Sequence, residues 1–160
     1  MAGGHGLGPA PDSDRLALLC RARTRVCALL LSDVVETMRP LPVTGVPSTL
    51  PFVLGLSVIR GAPVPVIDLG ALLGDLPSGE ATRFVVLRLG ERRVALAVEQ
   101  VLGLRGLPAR QFGDLPPLLK EAAEAVSSVA ALDGELALVL GSARLVPDSV
   151  WMAAETGRGG

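Results

Sequence analysis

Two carboxylates three positions apart, Asp33 and Glu36, could act as an acid and a base in a reaction. A chain with 16 acidic residues offers many such spacings, however, so the pair does not by itself predict an enzyme. Glu36 could instead form an exposed ion pair with Arg60, which would contribute about 0–1 kcal/mol to stability. An acid–base pair would indicate a small hydrolase, whereas an ion pair would be only a polar feature of the surface.

Other catalytic or metal-binding arrangements are missing from the sequence. The single histidine, His5, lies in a Gly- and Pro-rich tail, so no ordered imidazole is expected as a base or a metal ligand. Two cysteines without a folded histidine do not make a zinc site. No segment matches a phosphate-binding loop, and Gly55–Ile59 lacks the second glycine of a nucleophile elbow. We therefore predict a protein that is not an enzyme and uses no metal or cofactor.

The two cysteines, Cys20 and Cys27, are expected to face each other across a hairpin with its turn at Arg23-Thr24. In that register two further pairs share their face of the sheet: Leu18 with Leu29, and Leu16 with Leu31. Two interpretations stay open, a reduced and buried pair of small apolar side chains or a redox-linked disulfide.

Short apolar runs separated by turn residues indicate the elements that position these side chains, and they predict an all-β barrel or sandwich. The runs are Leu16–Cys20, Val26–Leu31, Leu56–Ile59, Val64–Leu69, Phe84–Leu89, Val94–Val98, Val129–Leu132 and Leu136–Leu140. A helix is predicted over Leu115–Val126, with short helical turns at Ser32–Val35, at Leu69–Leu73 and near the C-terminus. Residues 1–13 and 156–160 are expected to be disordered tails around one folded region, 14–155.

Composition excludes some partners and favours others. The 15 basic residues are spread among 16 acidic ones, giving a net charge of −1, so nucleic-acid binding is not expected. Apolar residues make up 49% of the chain and charged residues only 19%, which favours apolar surface that a partner covers. Pro40–Ile59 carries no charge, but its four prolines rule out one continuous membrane helix. With no secretory signal evident, we expect a cytoplasmic protein without membrane insertion.

Comparing the chain with itself indicates an internal duplication. A shift of 67 positions superposes Ala28–Leu31 on Ala95–Val98, and a shift of 73 superposes Ile59 on Leu132. This predicts two similar β subdomains, one for each half. Charges found in only one copy are free to serve function, and three qualify: Glu36, Arg60 and Asp68, whose equivalents are Gly103, Asp133 and Gly141.

Three segments, Val34–Pro40, Pro51–Gly61 and Val64–Leu69, resemble the CheW-type chemotaxis coupling proteins. They match the family's V-x-E step, its proline-led segment ending in an R-G turn, and its P-V-hydrophobic-D-L strand, in the same order. The likeness continues through Phe84–Gly90 and Ala95–Val101 and spans about Leu16 to Trp151. It implies two SH3-like five-stranded β-barrels packed side by side, with the chain partly exchanged between them.

The resemblance also implies a function and a partner-binding surface. The family joins the cytoplasmic tips of chemoreceptors to the regulatory domain of a CheA-type histidine kinase, with the receptor helix held in an apolar groove between the barrels. Carried over by position, the partner-binding residues are Val34, Val35, Glu36, Thr37, Arg39, Arg60, Gly61 and Val101. Asp68 is instead expected to cap the short helix near Leu69.

Three positions depart from the family pattern: Glu99, Ser128 and Gly141 stand where Asp, Gly and Asp are usual. All three lie beyond the central motifs, so the second subdomain, which helps to bind the kinase, is the more diverged one. The alternative function is therefore a diverged CheW-like regulatory module that binds a different kinase or a small ligand outside chemotaxis.

Overall fold

The computed structural model describes residues 15–48, 50–76, 81–107, 112–113 and 125–141. Within these ranges the chain forms eleven β-strands, a 3-10 turn at Leu31–Asp33 and one short helix, α1, at Leu69–Leu72. The strands are β1 Arg15–Ala22, β2 Arg25–Leu30, β3 Val34–Met38, β4 Val53–Ile59, β5 Ala62–Asp68, β6 Arg83–Leu89, β7 Arg92–Val98, β8 Gln100–Leu107, β9 Phe112–Gly113, β10 Val126–Leu132 and β11 Glu135–Leu140.

The strands form two sheets, which define two subdomains. The first subdomain is a five-stranded sheet in the order β3-β6-β7-β5-β4. The second has the order β8-β1-β2-β11-β10, extended at its edge by the two-residue β9. This arrangement confirms the predicted all-β class with two five-stranded units.

Each of the eight apolar runs coincides with a strand, which confirms those predictions. Two runs extend one residue too far, since Leu31 belongs to the 3-10 turn and Leu69 begins α1. No apolar run predicted strands β3, β8 and β9. The helical turn predicted at Ser32–Val35 is confined to the 3-10 turn at Leu31–Asp33. The helix predicted over Leu115–Val126 is wrong at its end, because Val126 begins strand β10. The rest of that segment, the C-terminal helical turn and both predicted tails lie outside the described residues.

The β1–β2 hairpin has the predicted register around its cysteines. Cys20 is paired with Cys27, and both thiols are free and buried. The predicted pairing of Leu16 with Leu31 is wrong, because the ladder ends at Ala17–Leu30 and Leu31 starts the 3-10 turn. Leu16 lies opposite Gly106 in β8 instead, with 56% of its surface exposed.

The ladders of the two subdomains superpose in register. The β1–β2 pair Cys20–Cys27 maps onto the β6–β7 pair Leu87–Val94 by the shift of 67. The β4–β5 pair Ser57–Val64 maps onto the β10–β11 pair Ala130–Ala137 by the shift of 73. The parallel ladders agree too, since Val66–Ala95 corresponds to Val139–Ala28. The duplication in the sequence is therefore a duplication of strand pairing.

The sheets do not divide the chain into its two halves. The first repeat is β1 to β5, and the second is β6 to β8 with β10 and β11. Strands β1 and β2 join the sheet built from the second repeat, and β6 and β7 join the sheet built from the first. The first hairpin of each repeat therefore belongs to the subdomain that is built mainly from the other repeat.

The exchanged hairpins lie at the centre of the molecule and are buried on both faces. One face carries Cys20, Leu29, Val85 and Leu96, which belong to a core shared by the two subdomains. The opposite face of β6 and β7 packs inside the first subdomain, and that of β1 and β2 inside the second. Burial on both faces explains why these four strands read as continuous apolar runs in the sequence.

Candidate functional site

Glu36 and Arg60 form a bidentate ion pair on the first subdomain. Arg60 Nη2 lies 2.7 Å from Glu36 Oε1, and Arg60 Nε donates to Oε2 at 3.1 Å. The arginine side chain is 68% exposed and the glutamate 21% exposed. A guanidinium bound in this way fixes the plane of the carboxylate while remaining accessible to a partner.

Two local features of the backbone present this pair. Arg60 and Gly61 are the central residues of the β4–β5 hairpin and have φ values of 54° and 82°. Positive φ at both positions is typical of a type I′ turn, which projects Arg60 beyond the strand ends. In β3 the ladder to β6 skips Val35, a β-bulge placed directly before Glu36. The ion pair therefore joins the two opposite edges of the first sheet.

The pKa of Glu36 lies below its ordinary value. The hydrogen bond from Arg60 is the main cause, and the positive charges of Arg60 and Arg93 add to it against the opposing effect of burial. A carboxylate held ionised in this way is poorly suited to serve as a general acid. The candidate acid–base pair Asp33 and Glu36 thus contains one member already committed to an ion pair.

The predicted apolar site residues fall into two environments. Val34 and Val101 are partly buried and pack against the shared core from different sheets, and they are equivalent by the repeat. Val35 is 37% exposed, as is its equivalent Leu102 at 39%. Each is the extra residue of a β-bulge, so the fold presents an apolar side chain at the same place in both subdomains.

The remaining predicted site residues lie on the surface near the ion pair. Thr37 is exposed on β3, Arg39 is exposed just beyond it, and Gly61 is exposed in the β4–β5 turn. The structure therefore brings seven of the eight predicted residues to β3 and the adjacent turn, while Val101 lies in β8 of the other subdomain. A groove at the end of the β1–β2 hairpin lies elsewhere, lined by Arg15, Leu16, Leu30, Leu31 and Ser32.

Asp68 has a structural role, as expected. Its Oδ1 accepts a hydrogen bond from the backbone N–H of Ala71 at 3.2 Å, which caps the N-terminus of α1. The side chain is almost fully buried, and its Oδ2 lies 3.1 Å from Nη2 of Arg23. Its charge thus serves the fold rather than an exposed site.

Arg23 connects the two subdomains, and sequence reasoning missed it. It lies in the β1–β2 turn of the second subdomain, while its partners belong to the first: Asp68 is the last residue of β5 and Glu99 follows β7. Its guanidinium also donates to the carbonyl of Leu76 at 2.6 Å. The self-comparison held a signal, since Gly90 and Gly141 replace Arg23 and Asp68 at the equivalent positions.

Comparison with known proteins identifies the family to which this two-subdomain fold belongs. A family model described as a CheW-like domain matches residues 16–150. The chain belongs to the CheW-like family. Within that match lie both subdomains and every residue of the Glu36–Arg60 site.

Two curated relatives support membership of the CheW-like family. Protein FrzA of Myxococcus xanthus is 35% identical over 89 residues, which cover 54% of each chain. A probable chemotaxis protein CheW of Rhizobium etli is 39% identical over 92 residues, covering 56% of this chain and 59% of the relative. This CheW-like chain therefore spans a little over half the length of the curated relatives that it matches.

A solved structure shows the same fold. The scaffolding protein TtCheW from Thermoanaerobacter tengcongensis superposes with a TM-score of 0.71 at 21% identity. The match covers 80% of this CheW-like chain and 89% of that protein. The two sheets described above are thus the two SH3-like subdomains of a CheW fold.

None of the helices in the described ranges has the length and hydrophobicity needed to cross a membrane. In the same ranges, no three side chains of the His, Cys, Asp and Glu types are grouped as a metal site would require.

Proposed function

We propose that this CheW-like chain is a non-enzymatic scaffold that couples the cytoplasmic tip of a chemoreceptor to the regulatory domain of a CheA-type histidine kinase. Membership of the CheW-like family supports a role of this kind in chemotaxis-type signalling. A receptor contact is supported mainly by the exposed bidentate ion pair of Glu36 and Arg60, which lies beside exposed Val35. Both proposed partners are cytoplasmic, so the scaffold acts there.

The ion pair supports the proposal because it is specific to one subdomain. The repeat places Gly103 and Asp133 where the first subdomain has Glu36 and Arg60. The fold therefore does not require these two residues, because the second subdomain joins its turn to its edge strand through Asp133 and Arg105 instead. A partner that leaves either charge without a complement loses binding free energy, so the pair selects the partner and its orientation.

Apolar burial would supply affinity at the same surface. Val35 is exposed beside Glu36, and Val58, two residues before Arg60, is 69% exposed. Burial contributes about 25 cal/mol for each Å² of apolar surface removed from water, so two valines can favour binding by a few kcal/mol. An amphipathic receptor helix offers an apolar stripe flanked by polar side chains, which matches this arrangement.

The second subdomain would carry the kinase contact. It presents Leu102, Leu104 and Leu136 as exposed apolar side chains, with the ion pair of Arg105 and Asp133 nearby in sequence. An exposed leucine is unremarkable alone, but three on one subdomain are consistent with a surface that a partner covers.

A binding experiment tests the receptor contact. The full chain is titrated with a receptor cytoplasmic tip and with a CheA-type regulatory domain from the same cell. Glu36→Arg should weaken receptor binding on the order of tenfold. Repulsion from Arg60 and Arg93 should lower the melting temperature only slightly, because an exposed ion pair contributes little to stability. The matched control is Arg105→Glu, which reverses one charge of the ion pair in the other subdomain and should leave receptor binding intact.

Three outcomes would contradict the proposal or part of it. Failure of the folded wild type to bind either partner would favour the diverged regulatory module. A much lower melting temperature in Glu36→Arg, with unchanged affinity, would make the pair structural. Receptor binding without kinase binding would remove the coupling role but keep the receptor contact.

A further inference from the structure

Arg88 and Arg93 face each other across the β6–β7 ladder, where each is the direct partner of the other. Like charges in directly opposite positions destabilise an antiparallel pair. Arg88 is exposed and Arg93 is half-buried. An unfavourable pair that the fold does not need is a candidate for function.

The two arginines share a face with Glu36. Val86 lies directly opposite Glu36 in the β3–β6 ladder, and Arg88 is two residues farther along β6 on the same face. In a regular ladder, neighbours related in this diagonal way are about 7–8 Å apart, within reach of long side chains; here the bulge at Val35 lies between the two positions. Arg93 also contributes to the lowered pKa of Glu36, which places its charge close to the carboxylate.

This end of the first subdomain carries an excess of positive charge. Arg60, Arg88 and Arg93 bring three guanidinium groups to the end of the first subdomain that carries the carboxylates of Glu36 and of Asp33, which is one residue before the Val34–Leu87 pair. These five groups have a formal charge of +1. Among the ion pairs of the described residues, Glu36 is bound by Arg60, and none includes Arg88 or Arg93. Glu91 and Arg92, in and beside the adjoining turn, cancel each other in formal charge.

The equivalent end of the second subdomain is neutral. Arg21, the repeat counterpart of Arg88, lies 3.9 Å from Glu135, and Arg105 lies 2.7 Å from Asp133. Two basic and two acidic groups thus balance there. The positive excess is therefore a property of the first subdomain and not of the fold.

We propose that Arg88 and Arg93 extend the Glu36–Arg60 site and bind aspartate or glutamate side chains of the receptor-type helix. This inference rests on the proposed function and adds the chemistry of the partner. A protein partner fits better than a nucleic acid or a lipid surface. Glu36 stands among the arginines and would repel a dense array of phosphates, while exposed Val35 needs apolar surface to cover it.

The test measures the affinity of the full chain for the receptor tip at several salt concentrations. Arg88→Gln/Arg93→Gln should weaken binding on the order of tenfold at low salt and make the affinity less dependent on salt. Arg21→Gln is the matched control, because it removes the equivalent arginine of the second subdomain, and it should change neither quantity. Melting temperatures are compared first, and the double variant should be at least as stable as wild type.

The outcomes separate the inference from the proposed function. If Glu36→Arg weakens receptor binding while Arg88→Gln/Arg93→Gln leaves affinity and salt dependence unchanged, the inference is wrong and the proposed function stands. If wild type fails to bind the receptor tip, both fall. Binding to vesicles with anionic headgroups that depends on Arg88 and Arg93, in place of receptor binding, would overturn the choice of a protein partner.

Discussion

Arg23 and Glu99 are joined twice across the boundary between the two subdomains. The backbone N–H of Arg23 and its guanidinium Nη1 both donate to Glu99 Oε2, each at 2.9 Å. The same guanidinium reaches Asp68, the residue that caps α1. One side chain of the second subdomain thus holds two carboxylates of the first in fixed positions.

Replacing Arg23 should destabilise the protein more than replacing an exposed arginine. Arg23→Gln leaves the buried carboxylate of Asp68 without its guanidinium partner, and we expect a loss of about 1–3 kcal/mol in the free energy of unfolding. Urea denaturation of the variant and of wild type measures this loss. Arg21→Gln is the control, because its ion pair with Glu135 is long and exposed. Equal losses in the two variants would show that Arg23 does not join the subdomains energetically.

Gly55 should tolerate no side chain. A Cβ atom at Gly55 would lie 2.1 Å from the carbonyl oxygen of Thr44, whose backbone exchanges two hydrogen bonds with Leu56. Gly55→Ala should therefore cost at least about 2 kcal/mol and detach the segment before β4. Gly103→Ala is the control, since Gly103 also has positive φ but nothing lies within 4 Å of its Cβ position. It should cost about 1 kcal/mol. Thermal unfolding of both variants separates the steric clash from backbone strain.

The cysteines make stability fall at alkaline pH. Burial raises the pKa of the Cys27 thiol from 9.0 to about 12, and burial together with the charge of Cys27 raises the pKa of Cys20 as well. Their contribution is complete below the unfolded pKa near 9 and is lost as pH rises toward the folded value. The chain has no Tyr, so few other groups titrate in this range.

Denaturation from pH 8 to pH 11 measures that loss. The double variant Cys20→Ala/Cys27→Ala should show a much flatter dependence of unfolding free energy on pH. An identical slope in wild type and variant would contradict the assignment. In the native protein, both thiols should also react slowly with alkylating reagents at pH 8, because the thiolate is disfavoured.

The charge state of Glu36 should depend on Arg60. Because the hydrogen bond from Arg60 lowers the pKa of Glu36, its folded value lies below that of the unfolded chain. Any stability from this pair is present above the unfolded pKa and disappears as pH falls through the folded one. NMR titration of the Glu36 carboxyl should give a midpoint below its ordinary value, and Arg60→Gln should raise it. An unchanged midpoint in the variant would mean that the pair does not persist in solution.

The sequence was most informative where strands are buried on both faces. The runs Phe84–Leu87 and Val94–Val98 have no polar interruption, and they marked strands directly. Strand β8 escaped because Gly103, Arg105 and Gly106 break its apolar pattern at the edge of the sheet. An edge strand needs an apolar side chain on one face only, so its run is shorter and less distinct.

The site could be predicted only in part, because its residues are distant from one another in the sequence. The family motif marked Glu36 and Arg60, and the structure brings them together. The Arg88–Arg93 pair needs the register of β6 with β7 before its opposition is visible. Arg23 is 45 residues from Asp68 and 76 from Glu99, so no local pattern connects it with its partners.

The exchange of hairpins between the subdomains sets the order in which the chain can fold during synthesis. Strands β1 and β2 emerge first, but the parallel partner of β2 is β11, which ends at Leu140. The first sheet can close earlier, once β7 has been made at Val98. The leading hairpin must therefore wait for its partner strands, and a chain that terminates at Val98 would contain every strand of the first sheet together with one open hairpin. Such a truncated product exposes an aggregation-prone surface, which makes it a natural target for chaperones and proteases.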